Sequence, residues 1–500
     1  MPNPDRADAK LLAAAGLHFA SAIGAAHAIR TRRISSVELT GHMLERIGSF
    51  NPKLNALVTL TAESAMERAH HADEALARGA WLGPLHGVPC TVKDVFETSG
   101  VRTTAGAPFL ADYMPQQDAP VVARLKAAGA VIVGKTNVPP MAADWQSYNP
   151  VFGTTNNPWD ITRTPGGSSG GEAAAVAAGL SFLGIGSDIG GSIRIPAHFC
   201  GIYGHKPTLG VIPLRGHIPP PPGLPQHPLA MGVGELPVAG PLARSASDLK
   251  IAMEVFGGPD SHDAVAYRWT MPQPRHSRLA DYRVGYVLDD PLCPVSAPVK
   301  KALSDAVEAL RKAGAKLEEG WPAGLDPAVQ VETYRYMVFT VMASFMRPED
   351  VAHIRAAAAA GDPGSKAMEM AITAPHSVFF EANTRRCASL ALWQNYFRTH
   401  DAFLLPTAFT AAIAHDHSEP MDARRIATLE GARNYMDLLF WMTPATLNGL
   451  PATVAPVGLT PDGLPVGVQI VGPYLEDATP IDLAGRLADL IGGFRAPQGY

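Results

Sequence analysis

Apolar positions follow two textures along the chain. Through the first 80 residues they recur at helical spacing. Ser35 and Glu38 form a capping box that opens a helix running to about Gly48, and the Ala-rich stretch 61–78 forms a second helix stopped by Gly79. Beyond residue 80, short continuous apolar runs take over. Residues 88–93 read as a strand, 118–128 as a helix closed by Gly129, and 130–133 as a buried strand. A helix followed by an apolar strand after a glycine is the α/β rhythm. It returns as strand 283–287, helix 295–313 and strand 315–318. Ser245 and Asp248 cap another helix, and 326–400 is mostly helical. Residues 401–406 and 452–456 are apolar strands, 460–463 turns into strand 466–471 as a hairpin, and a helix at about 478–490 closes the chain. The expected class is α/β. No repeat and no clean linker divides the chain, so one domain over 1–500 is expected, with a helical part at about 1–80, a central part at about 81–260 and a remainder at about 261–500.

Composition narrows the function. The 500 residues are 47% hydrophobic and 17% charged, with a net charge of −5. Such a chain has ample apolar side chains for a core, which excludes dominant disorder. It has no basic excess to neutralise phosphates, so a nucleic-acid partner is not expected. Cys90, Cys200, Cys293 and Cys387 form no CxxC pair, which fits a reducing, cytoplasmic setting rather than a disulfide framework. Residues 1–10 lack the apolar core of a secretory signal, and no run of about 18 apolar residues exists to span a membrane. The apolar stretch 337–346 reads as a buried helix or pocket wall. The segment 217–228, with four consecutive prolines, reads as a stiff surface or pocket-rim loop.

Two tempting patterns fail. Gly129 to Thr136 matches GxxxxGK[ST], but its intervening residues are strand material and Pro139-Pro140 opposes the helix that a phosphate loop needs. His415 and His417, and His70 and His71, lack the spacing of a helix-borne zinc site and read as solvated histidines. No metal and no cofactor is expected.

Three segments carry chemistry. Lys93 ends an apolar strand among Val88, Val92, Val95 and Phe96; buried there, its ammonium form is disfavoured and a proton-accepting amine becomes accessible. Gly166-Gly167-Ser168-Ser169-Gly170-Gly171-Glu172 places serines at the start of an Ala-rich helix. The third segment, Ser187-Asp188-Ile189-Gly190-Gly191-Ser192-Ile193-Arg194, runs a strand into a Gly-Gly turn. Its successive N–H groups can converge as an oxyanion nest, and Arg194 is placed to pair with Asp188. The pattern is not a GxSxG elbow.

In this order, with 24 positions between Ser168 and Ser192, the segments resemble the amidase signature family over roughly residues 20–490. The likeness extends to Gly134-Lys135-Thr136-Asn137, the segments 153–160 and 204–208, and 448–472. His205, where many relatives carry an apolar residue, departs from the commonest pattern. The resemblance implies a large mixed, twisted β-sheet covered by helices on both faces. It implies a Ser-Ser-Lys triad of nucleophile Ser192, bridging Ser168 and base Lys93, with a cis peptide at Ser168. It also implies an oxyanion hole from the N–H groups of Ile189, Gly190, Gly191 and Ser192. The activity implied is cleavage of a small-molecule carboxamide to a carboxylate and ammonia or an amine. Carbamate or ester hydrolysis on the same machinery, and a glutaminase-type A subunit of a tRNA-dependent amidotransferase, stay open as alternatives, as does a homodimer. Met141, Trp145 and Tyr148, with Phe152 and the segments 337–345 and 440–442, are expected to line an apolar, aromatic-accepting pocket.

Overall fold

The computed structural model describes residues 16–219, 236–343, 346 and 348–500. The N-terminal stretch 1–10, most of the proline loop at 217–228 and Phe345 lie outside the described residues. At the centre is one mixed sheet of eleven strands. In chain order they are β1 (Leu57–Leu60), β2 (Pro89–Lys93), β3 (Val131–Thr136), β4 (Leu183–Asp188), β5 (Tyr203–Lys206), β6 (Val238–Ala243), β7 (Arg283–Tyr286), β8 (Lys316–Glu319), β9 (Ala402–Pro406), β10 (Ala452–Leu459) and β11 (Pro465–Val471). Across the sheet they stand β1-β3-β2-β4-β6-β5-β10-β11-β9-β7-β8.

β2 is parallel to both β3 and β4. The run from β4 through β6, β5, β10 and β11 to β9 is antiparallel, and β9, β7 and β8 are again parallel. Helices cover the sheet on both faces. Ser36–Leu54 packs on β2 and β3, Gly170–Ala177 on β2 and β4, and Ala478–Ile491 on β10. Every residue of β2, β3 and β4 is buried, which is why these strands read as continuous apolar runs rather than alternating ones.

The capping box forms as expected: Glu38 N–H donates to Ser35 Oγ at 3.0 Å, and Ser35 N–H donates to Glu38 Oε2 at 2.7 Å. That helix does not stop near Gly48. It continues to Leu54 and ends where Asn55 takes a left-handed φ of 50°. A mid-helix glycine costs about 1 kcal/mol, and burial of Met43, Ile47 and Leu54 along one face outweighs it. The helix after residue 118 starts at Pro120, while Asp118 stays outside to accept from Ser99 N–H and Lys126 Nζ, each at 2.8 Å. The hairpin of β10 and β11 closes through Gly463 at φ 80°, with Gly463 N–H on Thr460 O at 2.9 Å.

The GxxxxGK[ST] match is strand β3 itself. A Cβ on Gly134 would lie 2.6 Å from Thr59 O, so the glycine admits β1 at close range. Lys135 Nζ is buried and donates to Thr103 Oγ1 at 2.7 Å and Phe96 O at 2.8 Å, with Asp94 Oδ1 at 3.5 Å. It is held inside the protein and faces no phosphate loop.

Candidate active site

β2 and β4 are parallel neighbours, so their C-terminal ends, Lys93 and Asp188, lie at the same edge of the sheet. Beyond β4 the chain turns through Ile189-Gly190-Gly191-Ser192 into the short helix Arg194–Cys200. The helix leading to β4, Gly170–Ala177, begins just after Ser168 and Ser169. Ser169 stands at its N-cap without a side-chain capping bond, and the Ser168 hydroxyl meets Lys93; the Gly167–Ser168 peptide is cis.

Lys93 is fully buried. Its Nζ donates to Ser168 Oγ at 2.7 Å and to Ser187 Oγ at 2.9 Å. Ser169 N–H donates to Ser192 O at 3.1 Å, which ties the serine-bearing turn to the Gly-Gly turn. Lys93, Ser168 and Ser192 therefore gather at one end of β2 and β4, and Ser192 Oγ has no hydrogen-bond partner among the described residues. Ser187 was missed from sequence. Its signal was the strand-end position beside Asp188, where a side chain alternates onto the face that carries the site.

Burial pushes Lys93 down from 10.5 to about 7, and the charges of Asp188 and Glu172 offset only part of that. Near neutral pH the free amine is thus accessible, with two hydroxyls within hydrogen-bond distance of it. Burial alone would raise Asp188, but Arg194 and Lys206 outweigh it and hold the carboxyl below its usual range. Arg194 Nη2 meets Asp188 Oδ1 at 2.8 Å, and its Nη1 donates to Gln469 Oε1 at 2.6 Å and Met442 O at 3.1 Å. This buried pair anchors the turn, as the sequence suggested.

The turn presents its amides unevenly. Asp188 Oδ1 accepts the Gly191 N–H at 3.0 Å, and Oδ2 accepts that of Ile193 at 3.1 Å. The N–H groups of Ile189, Gly190 and Ser192 have no acceptor among the described residues. Of the four amides expected to converge, Gly191 is thus the one already engaged, because the anchoring carboxylate sits directly behind it. The carbonyls on the opposite side are tied back: Tyr334 hydroxyl donates to Ile189 O, and Trp145 Nε1 donates to Gly190 O at 2.7 Å. Each bond fixes a peptide plane and so fixes the direction of the next N–H. Gly191 has φ 96°, and a Cβ there would fall 2.3 Å from Met442 Sδ, so both backbone and space require glycine.

The expected pocket residues divide. Trp145 is 6% exposed, stands edge-on to Tyr435 and spends its indole N–H on Gly190 O, so it braces the turn as well as walling it. Leu439 and Met442 lie against Gly190 and Gly191. Met141 and Tyr148 are half-buried. Tyr148 hydroxyl donates to Asp144 Oδ2 at 3.0 Å, and its ring stacks on His417 at 3.7 Å. His417 and His415 are therefore half-buried rather than solvated, because Tyr148 offers His417 a flat aromatic face. His70 and His71 are exposed. No helix among the described residues is long and apolar enough to cross a membrane. An open cavity of about 690 Å3 lies apart from this edge, between the helices Ala246–Phe256 and Ala478–Ile491, and no candidate site residue lines it.

The family model described as Amidase matches residues 38–480. The A subunit of glutamyl-tRNA(Gln) amidotransferase from Prochlorococcus marinus (strain MIT 9313) is 33% identical over 486 residues, covering 91% of this chain and 94% of that protein. Indoleacetamide hydrolase from Bradyrhizobium diazoefficiens is also 33% identical over 486 residues, covering 94% of this chain and 86% of that protein. Among solved structures, 6-aminohexanoate cyclic dimer hydrolase with its substrate superposes with a TM-score of 0.78 at 25% identity, covering 96% of this chain and 99% of the other.

Proposed function

The chain belongs to the amidase family and is an amide-hydrolysing enzyme, and on that premise we propose that Lys93, Ser168 and Ser192 form its Ser-Ser-Lys triad, acting on carboxamides with an apolar, aromatic-tolerant portion. The observation that carries the triad is the buried Lys93 Nζ at 2.7 Å from Ser168 Oγ, on the turn bonded to Ser192.

A serine hydroxyl is a poor nucleophile until a base takes its proton. In this reading neutral Lys93 accepts the Ser168 proton as Ser168 accepts that of Ser192, and Ser192 Oγ bonds to the amide carbon. The bond is completed only with substrate bound, when the Ser192 hydroxyl swings toward Ser168; catalytic hydrogen bonds commonly tighten at that stage. The carbonyl oxygen becomes an oxyanion held by the N–H groups of Ile189, Gly190 and Ser192, with Gly191 kept in place by Asp188. Removing one such donor costs about 10²–10³ in rate. Collapse breaks the C–N bond. The leaving amine takes the proton back from Lys93 through Ser168, and water then releases the carboxylate from Ser192 by the same relay.

The apolar preference rests on the walls around the Gly-Gly turn: Trp145, Leu439 and Met442 leave little for a polar acyl group to bond there. The indoleacetamide hydrolase relative supports an aromatic substrate. The amidotransferase relative supports the second reading, a glutaminase subunit that works within a complex. A panel of aryl amides, aliphatic amides, carbamates, esters and glutamine, given to the purified chain alone, decides between them. Turnover of anilides or arylacetamides well above acetamide and glutamine is expected. Glutamine as the best substrate, or no turnover without added partners, would favour the second reading.

A further inference from the structure

Among the described residues Lys93 has no carboxylate within ion-pair distance, although a buried cation ordinarily needs one. Of the other buried cations near it, Lys135 has Asp94 at 3.5 Å and Arg194 has Asp188 at 2.8 Å, whereas Lys206 donates to the carbonyls of Pro207 and Leu450, each at 2.8 Å. Glu172, the third residue of the helix Gly170–Ala177, is wholly excluded from solvent and has no cation within ion-pair distance among the described residues.

Glu172 is held by hydroxyls alone. Thr136 Oγ1 on β3 donates to its Oε2 at 2.6 Å, and Thr91 Oγ1 on β2 donates to its Oε1. Thr91 and Lys93 are two residues apart on one strand, so their side chains project from the same face. On β4, Gly184 clears the space: a Cβ there would fall 1.7 Å from Glu172 Oε1. Three adjacent strands, β3, β2 and β4, thus build a slot for one carboxyl on the Lys93 side of the sheet, where a buried acid would otherwise be costly. A merely structural tie between helix and sheet would be served by a neutral amide.

We propose that Glu172 is the counter-charge of Lys93, a positioning residue whose carboxylate governs when the amine gives up its proton. The inference rests on the reading of Lys93 as the base. The other ionisable groups facing the pair are Cys90 on β2, Lys135 on β3, Asp94 beyond β2, Asp188 with Arg194 at the end of β4, and His217, whose ring lies 5.0 Å from Phe96. Burial raises Glu172 to about 7, offset in part by Thr136, Thr91, Lys93 and Lys135, and burial lowers Lys93 to about 7. Burial thus favours the neutral form of each group, and the charge on each favours the charged form of the other. Glutamine in place of Glu172 keeps the shape and removes the charge that favours the ammonium, so Lys93 should free its proton at lower pH.

The test compares the full-length protein with Glu172→Gln and with Thr136→Val, which removes one hydroxyl that favours the charged carboxylate. Lys93 is followed by 13Cε-lysine NMR titration, assigned with Lys93→Met, and kcat/KM for an amide is followed over the same pH range. In Glu172→Gln both the Lys93 midpoint and the acid limb should fall by about one pH unit. On the limb that variant should then retain about tenfold more of its plateau rate than the wild type. Thr136→Val should shift both the same way, by less, and it decides the matter if circular dichroism shows Glu172→Gln unfolded. A Lys93 midpoint that stays put or rises in a folded variant overturns the proposal. A midpoint that falls while the rate limb does not would leave Glu172 as the counter-charge and remove Lys93 from the role of base.

Discussion

Lys93→Met should abolish turnover and yet make the protein more stable near neutral pH. Lys93 is fully buried, and its folded value lies at about 7 against 10.5 when exposed. Between those pH values the unfolded chain binds more protons at this site than the folded one, so the lysine's cost to stability is largest below pH 7 and fades as pH rises toward 10.5. At about 1.36 kcal/mol per unit, the cost near pH 7 is about 4 kcal/mol, falling below about 1 kcal/mol by pH 10. Methionine fills nearly the same space without a charge. Against the gain stand the two hydrogen bonds to Ser168 and Ser187, at about 1 kcal/mol each. The net expectation is a stabilisation of about 2 kcal/mol at pH 7 that vanishes or reverses by pH 10. Urea unfolding of both proteins by fluorescence, at several pH values, measures the difference; titrations uncoupled to Lys93 cancel, while that of Glu172 does not. A Lys93→Met protein less stable than wild type at pH 7, or a difference independent of pH, would refute the idea that the lysine is held against its own charge.

Other expectations follow from the same edge of the sheet. In a pH–rate profile, kcat/KM should rise through an acid limb near pH 7 and stay high above it, because depressing the lysine leaves the free amine present on the alkaline side; a chelator should change nothing, and an optimum near pH 5 would contradict a lysine base. Ser192→Ala should keep its unfolding midpoint and lose at least about 10³ in kcat, with the acyl group trapped from a chromogenic ester found by mass spectrometry on Ser192 of the wild type; an adduct on another serine would displace it as nucleophile. Trp145→Phe keeps the aromatic wall but frees the Gly190 carbonyl, so kcat should fall about tenfold with KM nearly unchanged, a transition-state loss rather than a binding loss; a rise in KM alone would return Trp145 to the role of a plain pocket wall.

What the sequence disclosed followed from how local each signal is. Lys93, Ser168 and Ser192 each sit in a short Gly-rich or strand-end motif that is weak alone; their order and spacing, through the resemblance to the amidase signature family, single them out as candidates. The strands that carry them were legible because β2, β3 and β4 are buried on both faces and therefore apolar throughout. The braces were not legible. Tyr334 reaches Ile189 across 145 positions and Trp145 reaches Gly190 across 45, and nothing near either aromatic distinguishes a hydrogen-bonding brace from a pocket wall. Gly191 looked like one more free amide because the sequence shows that Asp188 pairs with Arg194 but not that the same carboxylate turns back onto the Gly191 N–H. The helix end was misplaced for a related reason: Gly48 is a local stop signal, overruled by burial on a face whose partners come from elsewhere.

In the proposed reading the braces and the buried charges serve one requirement. An amide carbonyl is weakly electrophilic, so its cleavage needs donors that already point at the developing oxyanion and a base that is free at neutral pH. Water would serve neither: it would bond the free amides and hold the lysine charged. Here the sheet supplies the dry ground for Lys93, while Asp188, Tyr334 and Trp145 hold the turn from behind, through a backbone N–H and two carbonyls, and leave its front amides open. The cost is a core crowded with ionisable groups, Lys93, Lys135, Lys206, Arg194, Glu172 and Asp188 among them. Purely structural selection would replace them with apolar residues, since buried pairs rarely stabilise more than a well-packed hydrophobic substitute. Lys93 sits among them at the C-terminal end of β2 for the proton it is proposed to move, not for the stability of the sheet, which is why stability and activity are expected to pull it in opposite directions.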